Sequence, residues 1–361
     1  MMKTSPIEKK PTTNLLFHFM CMLGILLGAT LAVVKRQILP DRFFFDENRI
    51  ILFVLNPQMI FRDGSYAGTT AIYTALGGYW LNKIEMSLIT FGIFFALLQR
   101  FWPAKIASNS LGGALFYCMT LALGGIYVAG YTKEAILSIL LLFFPKIEKQ
   151  KNSLILWIIL ALLYAVFVRD YWLIVISLFV IQLILFRRVS PSRGFALFTP
   201  IVLLVISIGF RFVLDVNLHY FRTSVLEDLS VNPESAINNP FPGTSIPFDW
   251  LNGLWSIAVL LFPVPLVFLG LTQLPAAIYI STVWSKFLHT GLSRYSPHSV
   301  LELRIFSLGF AYLIVLSLFE PDYGSYIRHL TPVAPILLSI AFAKTVVSNT
   351  STEISDLKGT K

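Results

Sequence analysis

The chain has 361 residues, 56% hydrophobic and 13% charged, with a formal net charge of +9 and a mean hydropathy of +0.74. Soluble domains carry about 45–50% apolar and about 25% charged residues, so a water-soluble globular protein is excluded, and the same arithmetic excludes disorder. The positive charge reads first as membrane topology rather than as nucleic-acid binding.

Apolar residues fall in blocks of roughly 15–22, separated by charged or Pro/Gly-rich breaks, as helices crossing a bilayer require. The alternating pattern of a membrane β-barrel is absent. The fold class is therefore all-α: a polytopic integral membrane protein of about ten transmembrane helices and two long outer loops. Residues 1–13 form a polar, cytoplasmic N-terminal tail with Lys3, Lys9 and Lys10. The transmembrane domain covers 14–347. Its first span, 14–34, is followed by Lys35-Arg36 rather than a small-residue cleavage site, which marks it as uncleaved. Further spans are expected near 85–101, 106–128, 131–145, 153–168, 170–187, 196–216, 251–271, 302–319 and 329–346. Residues 272–300 are an inner loop whose stretch 274–284 lies in the interface, and 348–361 form a cytoplasmic tail. Cys21 and Cys118 both fall in apolar blocks and form neither a disulfide framework nor a zinc site.

Charge distribution supports this layout. The short inner loops hold Arg100, Lys105, Lys146, Lys149, Lys151, Arg187, Arg188 and Arg193, against Lys133, Arg169 and Arg328 on the outer turns. That is the positive-inside pattern. The two outer loops are 35–84 and 217–250. Within the first, 66–82 reads as an interfacial or re-entrant helix, with a full crossing as the alternative. Loops of this length are commonly lids or binding loops.

Ionisable groups at a membrane boundary are costly and are functional candidates by default. The outer ends carry mixed clusters: Arg62-Asp63, Tyr131-Thr-Lys-Glu134, Arg169-Asp170, Arg211 with Asp215, and Glu320-Pro-Asp-Tyr-Gly-Ser-Tyr-Ile-Arg-His329. Arg328 and His329 open the last span, where helix N–H groups and a guanidinium together suit a phosphate. Snorkelling and capping explain the same pair without chemistry. Glu134 suits a helix start, whereas Lys133 there calls for a negative partner. Asp170 and Arg169 share a tight turn. Asp63 and Asp322 sit beside glycine and aromatics, so turn formation accounts for them as well as chemistry does. Tyr66, Tyr73, Tyr131, Tyr171, Tyr323 and Tyr326 are sugar-stacking or interface-belt candidates. No nucleotide-binding, serine-hydrolase or metal-ligand motif is present, so neither a cofactor nor a metal is expected.

With Thr132-Lys-Glu134 opening a short span, a large outer loop at 217–250 and a late Arg328-His329, the chain resembles the polytopic (Wzy-like) oligosaccharide repeat-unit polymerases of bacterial O-antigen, capsule and exopolysaccharide. The resemblance implies an enzyme that joins undecaprenyl-diphosphate-linked glycans on the outer face of the cytoplasmic, or inner, membrane, both termini lying inside. Its implied partners are that lipid-linked glycan, membrane lipids, and a flippase and a chain-length regulator of the same pathway. It places Arg169, Arg211 and Arg328 on the diphosphate, supported by Lys133, Arg62, Asp170, Asp322 and Tyr326. The base stays open among His329, Glu134 and Asp63; related ligases carry a histidine in the large loop, where His219 lies. Two other readings compete. One is a polyprenyl-phosphate-sugar-dependent glycosyltransferase using an acidic residue of the first outer loop, such as Asp46 or Glu47; the other is a non-enzymatic transporter of lipid-linked sugars.

Overall fold

The computed structural model describes residues 11–56, 64–145, 151–218, 220, 222–224, 234–241, 243, 245–292 and 299–342. Among them the regular elements are helices, and one isolated antiparallel bridge joins Ala236 to Asp322. The helices are α1 (Pro11–Ile38), α2 (Phe45–Leu55), α3 (Gly64–Ala75), α4 (Lys83–Phe101), α5 (Ala104–Ala107), α6 (Leu111–Leu123), α7 (Lys133–Leu142), α8 (Lys151–Phe167), α9 (Trp172–Leu185), α10 (Pro191–Leu214), α11 (Ile246–Leu261), α12 (Val264–Phe268), α13 (Leu274–Leu292), α14 (Val300–Phe319) and α15 (Tyr323–Ala341). Five described segments are long and apolar enough to cross a membrane: Leu15–Ile38, Lys83–Phe101, Leu111–Val128, Pro191–Leu214 and Val300–Phe319. This is the make-up of a membrane-embedded helical protein.

Several expected spans take a different form. The stretch 131–145 yields only α7, ten residues or ~15 Å at 1.5 Å per residue, which is half a hydrocarbon core. The stretch 251–271 divides into α11 and α12 at Phe262-Pro263, because Pro263 and Pro265 remove backbone donors. The expected interfacial stretch 274–284 is instead the first half of α13, with Tyr279, Ile280, Val283, Trp284 and Phe287 buried. Trp284 Nε1 donates to the Tyr326 hydroxyl at 2.6 Å, which locks α13 to α15. The last helix begins at Tyr323, six residues before the expected 329, because Asp322 caps it by accepting the N–H of Gly324 at 2.7 Å and of Ser325 at 3.0 Å. Of the expected tails, 11–13 belong to α1, and 1–10 and 348–361 lie outside the described residues.

α14 and α15 form the centre. α14 is buried continuously from Arg304 to Leu318, and a helix buried all round is apolar all round, so its sequence shows no stripe. α1 lies along α6, where an added Cβ at Gly24 would come within 2.7 Å of Cys118 Sγ. α6 widens into a π-turn, Gly124–Val128, and the chain then turns through Gly130 at φ +109°. α3 lies across the start of α7 and the end of α8. A Cβ at Gly68 would fall 1.8 Å from the Phe167 carbonyl, and the Tyr73 hydroxyl donates to the Thr132 carbonyl at 2.8 Å.

Candidate functional site

α7 starts at Thr132, whose hydroxyl accepts the Ala135 N–H at 3.1 Å, and this cap sets Glu134 in the first turn. α8 ends just before Arg169. α14 ends at Glu320, and a Pro-Asp turn reverses the chain into α15, which carries Arg328 and His329. These three termini and the start of α2 meet at one end of the bundle.

Glu134 Oε1 is the hub. It accepts from Arg169 Nη2 at 2.5 Å and lies 3.4 Å from Arg328 Nε and 3.3 Å from His329 Nε2. Arg169, 6% exposed, also donates through Nη1 to the Tyr171 hydroxyl at 2.5 Å. Arg328 reaches outward, its side chain 29% exposed, and donates to Asp46 Oδ2 at 2.8 Å. The Tyr66 hydroxyl donates to the other oxygen of Asp46. His329 Nδ1 is hydrogen-bonded to Glu320 Oε1, so both ring nitrogens face a carboxylate oxygen. Lys133 Nζ donates to Ser65 Oγ at 2.8 Å and stands 4.0 Å from the Tyr66 ring centre.

Electrostatics order these groups. Burial pushes the Asp46 carboxyl up, but the Arg328 guanidinium and the Tyr66 hydrogen bond outweigh it and hold Asp46 below its usual range. Burial likewise pushes Glu320 up, and the His329 ring outweighs it, so Glu320 also lies below its usual value. The Tyr66 phenol is driven upward by burial and by the charge of Asp46.

The structure thus brings together Glu134, Arg169, Arg328 and His329, with Lys133 beside them. Arg211 stands apart: it is 42% exposed and pairs with Asp215, itself 94% exposed, at 3.9 Å on the last turn of α10. Asp170 is exposed. Asp322 is taken up by the helix cap. Tyr326 is fully buried, and its hydroxyl donates to the Leu260 carbonyl at 3.2 Å. The same holds for Tyr73, for Tyr131, which donates to the Gly78 carbonyl at 2.5 Å, and for Tyr323, which donates to the Val259 carbonyl at 3.2 Å. These phenols pack the bundle, and Tyr66 and Tyr171 are the two at the cluster. Arg62, Asp63 and His219 lie outside the described residues.

Two acidic groups join the cluster without having been singled out as site residues. Glu320 had a local signal: it lies nine residues before His329, across a Pro-Asp turn, so a helical hairpin brings the two together. Asp46, named above only for the competing monophosphate reading, is 282 residues from Arg328, so no local pattern ties the two. A second charged group lies next to Asp46 in the chain. Glu47 is buried within 3.6 Å of Lys35 and 3.2 Å of Arg36, against Gly130, where a Cβ would lie 2.3 Å from Glu47 Oε1.

No protein-family model, no curated protein and no solved structure matches the chain. The chemistry is therefore read from the cluster. Glu320 hydrogen-bonds the His329 ring and can orient it, Arg328 has a partly exposed guanidinium of the kind that can meet an anion, and Arg169 fixes Glu134.

Proposed function

We propose that the chain polymerises undecaprenyl-diphosphate-linked oligosaccharide repeat units into a surface polysaccharide, on the outer face of the cytoplasmic membrane. The observation that carries this reading is the buried Glu320–His329–Glu134 chain bordered by Arg328 at one end of an apolar helical bundle. In the reaction, the hydroxyl oxygen of one glycan bonds to the anomeric carbon of the other. The bond from that carbon to the diphosphate oxygen breaks, and the electron pair leaves with the lipid diphosphate. Arg328 meets the charge that develops there, from a site with few competing waters. The hydroxyl proton passes to the His329–Glu134 pair. Arg169 acts through Glu134 rather than on the substrate.

The test is polymer formation by the purified protein in nanodiscs from a synthetic lipid-diphosphate oligosaccharide. Arg328→Ala and His329→Ala each lower the rate by at least about 100-fold at unchanged protein level, and wild-type polymer from both removes the reading. The presence of Asp46, a carboxylate of the first outer segment, in the cluster favours a second reading, sugar transfer from a polyprenyl monophosphate. Offering both donors separates the two, since a monophosphate-linked sugar used in preference to the diphosphate would replace polymerisation.

A further inference from the structure

The three carboxylates of the cluster are not held alike. Glu134 and Glu320 are almost wholly buried. Asp46, in the first turn of α2, keeps 29% of its side chain exposed. A helix start favours a carboxylate without any further role, but both oxygens of Asp46 face other elements. One accepts from the Tyr66 hydroxyl on α3 and the other from Arg328 Nη1 on α15 at 2.8 Å. The charge of Lys133, on α7, acts on it as well, with Nζ 4.0 Å from the Tyr66 ring centre. An arginine, a phenol and a lysine from three helices around one acidic group make the donor set of a phosphate site.

Arg328 already faces two carboxylates. Its Nη1 is on Asp46, and its Nε lies 3.4 Å from Glu134 Oε1. To meet a substrate anion it must release one of them. Glu134 is held by Arg169 and lies 3.3 Å from His329 Nε2, so the half-exposed Asp46 is the partner that can leave. A receiver is in place. Arg49 is exposed, one turn along α2 from Asp46, with Cζ 4.6 Å from the Tyr66 ring centre. Residues three apart are neighbours on a helix face, so a released Asp46 carboxylate meets Arg49.

We propose that Asp46 is a stand-in for the substrate anion: its carboxylate fills the phosphate seat between Arg328, Tyr66 and Lys133, and a lipid diphosphate takes the seat by displacing it towards Arg49. The assignment rests on the function proposed above and names what selects its substrate. An arginine at a membrane boundary is open to the anionic headgroups around it. A headgroup phosphodiester carries a single negative charge, as Asp46 does, and Asp46 competes from the same chain at a high effective concentration. A diphosphate carries more, its terminal phosphate alone holding about −1.5 to −2 at pH 7, and it has oxygens for all three donors. Asp46 therefore rejects bulk lipid and yields to the carrier.

The test is calorimetric titration of the full chain with farnesyl diphosphate, in nanodiscs of zwitterionic phosphatidylcholine or anionic phosphatidylglycerol. Each variant is compared with the unchanged protein in the same lipid, so that the surface potential cancels. Asp46→Asn keeps the shape and removes the charge. In phosphatidylcholine it is expected to lower Kd at least about tenfold, the worth of one charged hydrogen bond. In phosphatidylglycerol the gain disappears, because headgroups then hold Arg328. Asp46→Ala gives the same pattern, and the unfolding temperature shows that each variant is folded. Arg49→Gln, which removes the receiver, raises Kd about twofold, and does not do so on top of Asp46→Asn. Unchanged or weaker binding by both Asp46 variants in phosphatidylcholine, an equal gain in both lipids, or an Arg49→Gln loss that persists with Asp46→Asn overturns the proposal. Because binding is scored without turnover, a lipid-dependent gain in a protein that makes no polymer fails the polymerase reading alone. Its absence in a protein that polymerises fails the stand-in alone.

Discussion

Replacing Glu134 with Leu keeps most of the side-chain volume and removes the one oxygen that faces Arg169, Arg328 and His329. Arg169 is then left buried with its other side-chain hydrogen bond, to the Tyr171 hydroxyl at 2.5 Å. Breaking a buried pair from one side costs about 3–5 kcal/mol, because the surviving charge stays desolvated. At roughly 2 °C per kcal/mol for a chain of this size, Glu134→Leu lowers Tm by about 6–10 °C. The double variant Glu134→Leu/Arg169→Met removes both charges while keeping the Arg169 stem length. It recovers most of that loss, with a coupling of about 2–3 kcal/mol between the sites, yet polymerisation stays lost. Thermal unfolding in nanodiscs followed by tryptophan fluorescence reads the cycle, since buried Trp172 lies one turn from Arg169. Additive losses, or single variants that each cost under about 1 kcal/mol as exposed pairs do, would refute the reasoning.

Acid sensitivity follows from Asp46 and Glu320. Both folded-state carboxyls titrate below their usual values, so their contribution is complete above about pH 4 and is lost as pH falls through the folded-state values. Unfolding temperature therefore drops on acidification below about pH 4, and Arg328→Gln, which removes the charge opposite Asp46, flattens that drop. Gly130→Ala forces a side chain onto φ +109° with its Cβ 2.3 Å from Glu47 Oε1. It costs at least about 1–2 kcal/mol by urea titration, and it lowers turnover because Glu47 adjoins Asp46. Tyr326→Phe loses the bond from Trp284 at 2.6 Å, about 1 kcal/mol, with turnover retained; a large turnover loss at normal stability would return Tyr326 to the substrate. Arg211→Ala changes stability by less than about 0.5 kcal/mol and leaves polymer length unchanged on gels.

The apolar blocks set the helical class, and Thr132-Lys-Glu134 marked a helix start; α14 instead starts ahead of the expected 302, because Ser299 caps it in a box with Glu302. Deviations arose where tertiary packing decides. The stretch 274–284 reads as interfacial because it is apolar and sits in a loop with charged residues, whereas it is the first half of α13 and buries Tyr279, Ile280, Val283 and Trp284. α7 and α9 stop at ten and fourteen residues, short of the expected spans. At the site, outward-facing charges at chain turns flagged Glu134, Arg169, Arg328 and His329. Arg211 carried the same signal and lies elsewhere, since a residue's depth along a helix does not give the side it faces. The acidic pair Asp46-Glu47 was legible as a candidate for the competing reading, but the pairing of Asp46 with Arg328 was not, because its partner sits on the last helix.

The two ends of the bundle use charge differently, and the difference bears on function. At the end of α7 remote from the cluster, Arg100 Nη2 donates to the Phe144 carbonyl at 3.4 Å and Arg304 Nη1 to the Pro145 carbonyl at 3.2 Å. These arginines complete the open carbonyls beyond a helix C-terminus, as its dipole favours. At the start of α7, arginines meet carboxylates instead, and Glu134 and Glu320 are themselves almost wholly buried. Stability does not account for such a cluster, because well-packed apolar residues of similar volume hold a bundle as well or better than buried ion pairs. A helix start needs one acidic residue and no arginines, yet here a histidine and two guanidiniums from α15 and the α8–α9 turn converge on it. The arrangement makes sense where an anion and a proton must be handled at the edge of an apolar bundle.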